Sequence, residues 1–207
     1  MTHRRVAVVG LYRSGSSFWA GALHHLGVDM GAPFWENDVE NHPDNHYEPW
    51  DLSIDLRRMW NEPLGECTWS SEDRQSILQN WSRSRRAVHG AKHPLFCLMV
   101  DDLLAAWGEE TVIVWSFRPL EDSVDSLLRT TFPWSKLEMY SIQHKLWKAA
   151  QSHFRERPPT LKFDLFGLDE QGRRVAIDRL IAVLDLAPTD QQRNNALAGF
   201  RRHSPAS

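Results

Sequence analysis

The chain has 207 residues with 24 Lys and Arg against 27 Asp and Glu, a formal net charge of −3; the length suits one domain over residues 1–207, and the acidic balance argues against a nucleic-acid binder. Cys67 and Cys97 are too few for a disulfide framework and are expected as two free thiols in a reducing compartment. No stretch approaches the ~18 apolar residues of a membrane span, and the short apolar run near the N-terminus leads into a polar loop with no small-residue cleavage site, so a cytoplasmic protein without a membrane span is expected.

In chain order, Val6-Ala7-Val8-Val9 is a valine-rich run that reads as a buried strand. Gly10-Leu11-Tyr12-Arg13-Ser14-Gly15-Ser16-Ser17 follows, and a helical pattern over 18–26 stops at Gly27. Strand, glycine loop and helix together make an anion cradle, because backbone N–H groups and the positive end of the helix dipole converge there. The spacing nearly spells the nucleotide-binding P-loop, but Ser16 stands in the lysine slot and the cation comes earlier, at Arg13. Residues 28–50 are irregular, with Gly31, Pro33, Pro43 and Pro49 breaking any period. Phe34, Trp35, Tyr47 and Trp50 make this long loop an expected wall of the site.

Helical patterns are predicted over 51–59 and 72–86, then a short strand over 87–92 ending at Lys92, and an amphipathic helix over 95–107. The clearest buried strand is Thr111-Val112-Ile113-Val114-Trp115-Ser116-Phe117, ending at Arg118-Pro119. Pro119 suits the first turn of a helix over 120–129. A long helix is predicted over 136–157, a strand over 160–163 after Pro158-Pro159, a last helix over 173–184, and a polar tail ending in Arg201-Arg202-His203. Alternating strands and helices imply a three-layer α/β/α domain with a central parallel sheet and its ligand at the carboxyl ends of the strands. Most of the ten tryptophans are expected to pack in the core; Trp35 and Trp50 are candidates for an apolar pocket.

A nucleotide kinase needs the loop lysine and an acidic residue for Mg²⁺. Here the second strong strand ends in Arg118 instead, which repels a metal ion and attracts another phosphate. The ligand expected from these residues is a polyanion held at two places, with no metal.

Arg13-Ser14-Gly15-Ser16-Ser17 resembles the 5′-phosphosulfate loop of sulfotransferases that use 3′-phosphoadenylyl sulfate (PAPS). Arg118 and Ser126, eight positions apart, resemble that family's 3′-phosphate site, although Pro119 follows Arg118 directly where bacterial members have Arg-x-Pro. The run from Gly27 to Glu48 is similar to a bacterial Gly-aromatic-aromatic-Glu segment, with Asn45 in the glycine position, and Lys92-His93-Pro94 resembles a Lys-x-Pro segment after a strand.

The resemblance implies a P-loop-like sulfotransferase fold and transfer of a sulfuryl group from PAPS to a hydroxyl or amine of a small-molecule acceptor. It implies that Arg13 and the amides of Ser14, Gly15, Ser16 and Ser17 hold the 5′ end, Arg118 and Ser126 hold the 3′-phosphate, and Lys92 reaches the bridging oxygen. Glu48 is the candidate general base, with His93 as the other candidate because its pKa suits the task. Competing roles exist for several of these: Arg118 as a partner of Glu121 or Asp122, Glu48 as a cap for the helix near residue 51. An ATP-dependent phosphotransferase and a non-catalytic nucleotide-binding module are the alternative functions.

Overall fold

The apolar run near the N-terminus forms β1 (Arg4–Gly10) in a computed structural model that describes residues 4–34, 46–130 and 132–201. Trp35, Asn45 and Arg202-His203 lie outside the described residues. Helix α1 (Ser16–His25) follows the glycine loop and ends where Leu26 gives way to Gly27 at φ 97, a left-handed value that a side chain disfavours. Next come α2 (Trp50–Met59) and a small antiparallel ribbon, β2 (Trp60–Asn61) with β3 (Glu66–Cys67), which carries no periodicity to announce it. Helix α3 (Ser71–Arg83) starts at Ser70, whose hydroxyl accepts from the Asp73 N–H. Then follow β4 (Val88–Lys92), α4 (Val100–Trp107), β5 (Val112–Phe117) and α5 (Leu120–Leu128). Helix α6 (Lys136–Glu156) opens on a Ser135–Glu138 capping box. The described chain closes with β6 (Leu161–Asp164), α7 (Glu170–Leu184) and α8 (Asp190–Arg201).

Three expectations are corrected. The amphipathic helix predicted over 95–107 is two pieces: Pro94–Leu98 is a 3₁₀ turn, Met99 (φ −140, ψ 32) breaks it, and α4 begins only at Val100. The cause is local, because Pro94 and the His93 ring, which accepts the Leu95 N–H, wind that start tightly. The last predicted helix begins at Glu170, since Asp169 caps it by accepting the Gly172 N–H. The polar tail is largely a helix, α8, whose Ala196 is buried in the core beside α1.

The central sheet has the order β4-β1-β5-β6 with every pair parallel. Successive residues of a strand face opposite sides, and two cores result. Val6, Val8, Val112 and Val114 face α1, α7 and α8, where Trp19 stacks on Phe163 with ring centroids 4.3 Å apart. Ala7, Val9, Ile113 and Trp115 face the core built by α2 to α6, where Trp81 stacks on Trp107. The three-layer α/β/α arrangement is therefore present, with helices on both faces of a parallel sheet. Tryptophan serves packing at Trp19, Trp107 and Trp115, whereas Trp50 is 43% exposed at the start of α2. Both cysteines are free thiols, and burial pushes Cys97 up to about 12. No described helix is long and apolar enough to cross a membrane.

Candidate functional site

Because the strands are parallel, their carboxyl ends share one edge, and each is followed there by a residue singled out by sequence or by its packing. After β1 the loop turns sharply: the Ser14 N–H donates to the Leu11 carbonyl at 3.2 Å, and Arg13 (φ 64) and Gly15 (φ 88) are left-handed. Gly15 is needed twice over, since a Cβ there would lie 2.6 Å from the Leu165 side chain. The loop's carbonyls are tied down from the side. Ser116 donates to the Ser14 carbonyl at 2.8 Å, and Ser123 and Gln143 both donate to the Tyr12 carbonyl, at 2.6 and 2.9 Å. The amides of Ser16 and Ser17, in the first turn of α1, have no acceptor within their helix. Ser14 is fully buried, and its Oγ has no hydrogen-bond partner among the described residues. Unclaimed donors behind outward-tied carbonyls are what an anion cradle requires.

On the β5 side, Arg118 donates to the Arg13 carbonyl at 2.7 Å and lies 4.1 Å over the exposed Phe166 ring. Arg13 Nε reaches Ser126 Oγ at 3.4 Å. Arg13, and not the expected Arg118, thus meets Ser126, while Arg118 holds the Arg13 backbone, so that Arg13, Arg118 and Ser126 converge with the two cations close enough to repel each other. Arg118 forms no ion pair with Glu121 or Asp122 among the described residues, so its competing role as a helix-start salt bridge is not realised. Burial and then the neighbouring Arg118 and Arg129 lower Arg13 below its ordinary value. Burial likewise lowers Arg118, with Asp122 opposing and Arg129 adding to it. Cations crowded and desolvated in this way fit a phosphorylated ligand, whose charge relieves their repulsion.

On the β4 side stands a buried trio. Lys92 Nζ lies 2.5 Å from Glu48 Oε1, with side chains only 4% and 8% exposed. His93 Nε2 lies 3.8 Å from Glu48 Oε2, beyond hydrogen-bond length, and has no hydrogen-bond partner among the described residues. The His93 Nδ1 accepts the Leu95 N–H at 3.2 Å, so the neutral ring carries its hydrogen on Nε2. Burial pushes Glu48 up, but the Lys92 ammonium and His93 outweigh it and hold the carboxyl at about 2. Burial lowers His93 to about 4 against the opposing pull of Glu48. Glu48 does not cap α2: Pro49 is the capping residue, with no side-chain bond, and Glu48 turns to Lys92 instead.

Several residues escaped the sequence reading. Tyr12 donates its hydroxyl to Glu62, whose second oxygen lies 3.9 Å from Arg57. Burial raises both Tyr12 and Glu62, and their mutual hydrogen bond reinforces the first and opposes the second. Ser123 and Gln143, fully buried polar residues on helices, hold Tyr12 from the backbone side. A buried glutamine on the apolar face of a long helix was the one sequence signal available.

No protein-family model matches the chain, and no relative is found among curated protein sequences. Among solved structures it is similar to the sulfotransferase STF1 from Mycobacterium tuberculosis H37Rv, with a TM-score of 0.50 and 15% identity over 95% of this chain and 71% of that one. The chain has a sulfotransferase-like fold. At that identity the likeness speaks for architecture, and the chemistry has to be argued from the residues.

Proposed function

We propose that this protein is a PAPS-dependent sulfotransferase that acts on a hydroxyl or amine of a small-molecule acceptor, without a metal. The observation that carries the reading is the convergence of Arg13, Arg118 and Ser126 beside a glycine loop whose lysine slot is Ser16. The donor supplies a sulfuryl group on a phosphate leaving group, and the rest falls to the chain. Arg118 and Ser126 bind the 3′-phosphate and set register. Arg13 and the amides at the start of α1 stabilise charge gathering on the 5′-phosphate as the sulfur–oxygen bond breaks. Lys92 reaches the bridging oxygen, and the loop and both strand ends hold the reacting groups in line.

The acceptor oxygen or nitrogen bonds to sulfur and gives up its proton. Glu48 takes that proton. A carboxyl held at about 2 is a weak base while Lys92 and His93 face it, but an anionic donor competes for the Lys92 ammonium. Once that pairing loosens, burial raises Glu48 toward a useful basicity. His93 is less suited, because its one basic ring nitrogen already accepts from Leu95 and burial keeps it near about 4.

Isothermal titration and thermal melting test the reading. Adenosine 3′,5′-bisphosphate should bind and raise the melting temperature in EDTA, by mass action on the native state. A strict Mg²⁺ requirement with preference for ATP would overturn it in favour of a phosphotransferase. Binding without turnover of any acceptor, followed by mass spectrometry, would leave a non-catalytic nucleotide-binding module.

A further inference from the structure

Tyr12 immediately precedes the loop's key cation in the chain, yet nothing in the proposed chemistry uses its side chain. Its ring is buried against Phe132 and Trp134, with edge contacts at 5.7 and 5.5 Å. Its hydroxyl donates to Glu62 across 50 residues of sequence, and its carbonyl receives Ser123 and Gln143. Tyr12 is thereby fixed at both ends immediately before Arg13, whose left-handed backbone carries the guanidinium to Ser126. Glu62 belongs to the same short segment as Glu48: one precedes α2, the other follows it, and Arg57 of that helix lies near Glu62. Residues 48–62, built on α2 and β2, thus carry the candidate base at one end and the Tyr12 partner at the other.

We infer that the Tyr12–Glu62 hydrogen bond is a positioning link that sets the distance between the acceptor side of the site, borne by residues 48–62, and the anion loop at Arg13. This rests on the proposed sulfuryl transfer for its effect on rate, but the link itself is a statement about structure. A buried tyrosine hydroxyl on a buried carboxylate is a costly arrangement to build inside a core, and an apolar pair of the same volume would pack as well. Its place next to Arg13 gives it a use.

The test uses Tyr12→Phe, Glu62→Ala, Glu62→Gln and the double variant Tyr12→Phe/Glu62→Ala, each in the full chain. Misplacing reacting groups by a fraction of an ångström to 1 Å should lower turnover about ten- to a hundredfold in Tyr12→Phe and Glu62→Ala. The donor KM should stay within about threefold, the split expected of an interaction felt in the transition state. Glu62→Gln, which keeps an acceptor for the tyrosine, should retain turnover within about threefold of the unaltered chain. The double variant should be no worse than either single one, because both remove the same link. Turnover of Tyr12→Phe within about twofold of the unaltered chain, or losses that multiply in the double variant, overturns the inference.

Amide hydrogen exchange separates this from failure of the proposed function. If no acceptor is turned over by the unaltered chain, faster exchange at residues 11–17 in Tyr12→Phe, with the sheet unchanged, still supports the link. Unchanged exchange in that loop overturns it. Should Tyr12→Phe not fold, Glu62→Ala and Glu62→Gln carry the same two measurements.

Discussion

Replacing Glu48 by Gln separates chemistry from packing, because a base and a structural ion-pair partner predict different losses. The substitution keeps shape and a hydrogen-bond acceptor but removes the charge that Lys92 meets at 2.5 Å in a site almost closed to solvent. Breaking a buried pair costs roughly 3–5 kcal/mol when one partner is deleted, and the retained amide oxygen places this change at the low end. Linkage gives a second route: a carboxyl lowered from 4.5 to about 2 is worth on the order of 3 kcal/mol at neutral pH. The two agree, and for a domain of this length the melting temperature should drop by about 6–12 °C. Turnover should fall by about 10²–10⁴ if Glu48 is the base. Affinity for adenosine 3′,5′-bisphosphate should be kept or improved, since Lys92 is released to face the anion. The assay is product formation by mass spectrometry at saturating donor and acceptor, well below the variant's melting point. A destabilised variant with near-normal turnover would make Glu48 a structural ion-pair partner only. An unchanged melting temperature would refute the energetic reasoning as well.

Arg118→Ala should lower the preference for 3′-phosphorylated over dephosphorylated nucleotide about ten- to a hundredfold, the loss of a charge-assisted contact of about 1.5–3 kcal/mol; equal preference in a folded variant would remove Arg118 from the binding site. Acid should destabilise the chain in two steps. His93, depressed from 6.5 to about 4, contributes stability that is full above pH 6.5 and is lost as pH falls to about 4, and Glu48, depressed from 4.5 to about 2, loses its contribution between those values. Urea melts of the parent and of His93→Gln across pH 7 to 4 check this, and an identical pH dependence in both would refute the first step. Gly15→Ala should cost about 1–3 kcal/mol through its left-handed backbone, with nucleotide affinity falling as well because the new Cβ would meet Leu165 at 2.6 Å; a wild-type melting temperature would contradict the loop geometry.

Much of this was legible in the chain because the signals were local. Valines at 6, 8 and 9 followed by Gly10 and Gly15 can hardly form anything but a strand and a tight anion loop, and Val112 to Phe117 is apolar on both faces, as an interior parallel strand must be. The split at Met99 was hidden because the polar residues that give 95–107 its amphipathic reading, Asp101 and Asp102, lie only in the later half, and the apolar residues 95–100 carry no mark of where a 3₁₀ turn gives way to α4. Helix α8 was hidden for the opposite reason: its sequence is mostly polar, and what stabilises it is docking of Ala196 and Leu197 into a core formed by distant residues. In the site, Arg13 and Arg118 could be named from the loop and the strand end, and Glu48, Lys92 and Ser126 from the family resemblance, but the contacts among them could not. That Arg13 bonds Ser126, that Glu48 turns to Lys92, and that Tyr12 finds Glu62 depend on contacts across 113, 44 and 50 residues.

The cover that Leu165 places over Gly15 has a consequence for how the protein is made. The glycine loop is synthesised first, yet the wall it packs against follows β6, which among the described residues joins the sheet through its pairing with β5. A nascent chain that has exposed residues 1–130 to solvent already holds Arg13 and Arg118, but the loop between them still lacks its roof and Arg118 lacks the Phe166 ring. The loop's packing is completed only when Leu161–Asp164 docks at the edge of the sheet, so a chain cut short before that strand would keep Gly15 without its Leu165 neighbour even if its first helices were formed.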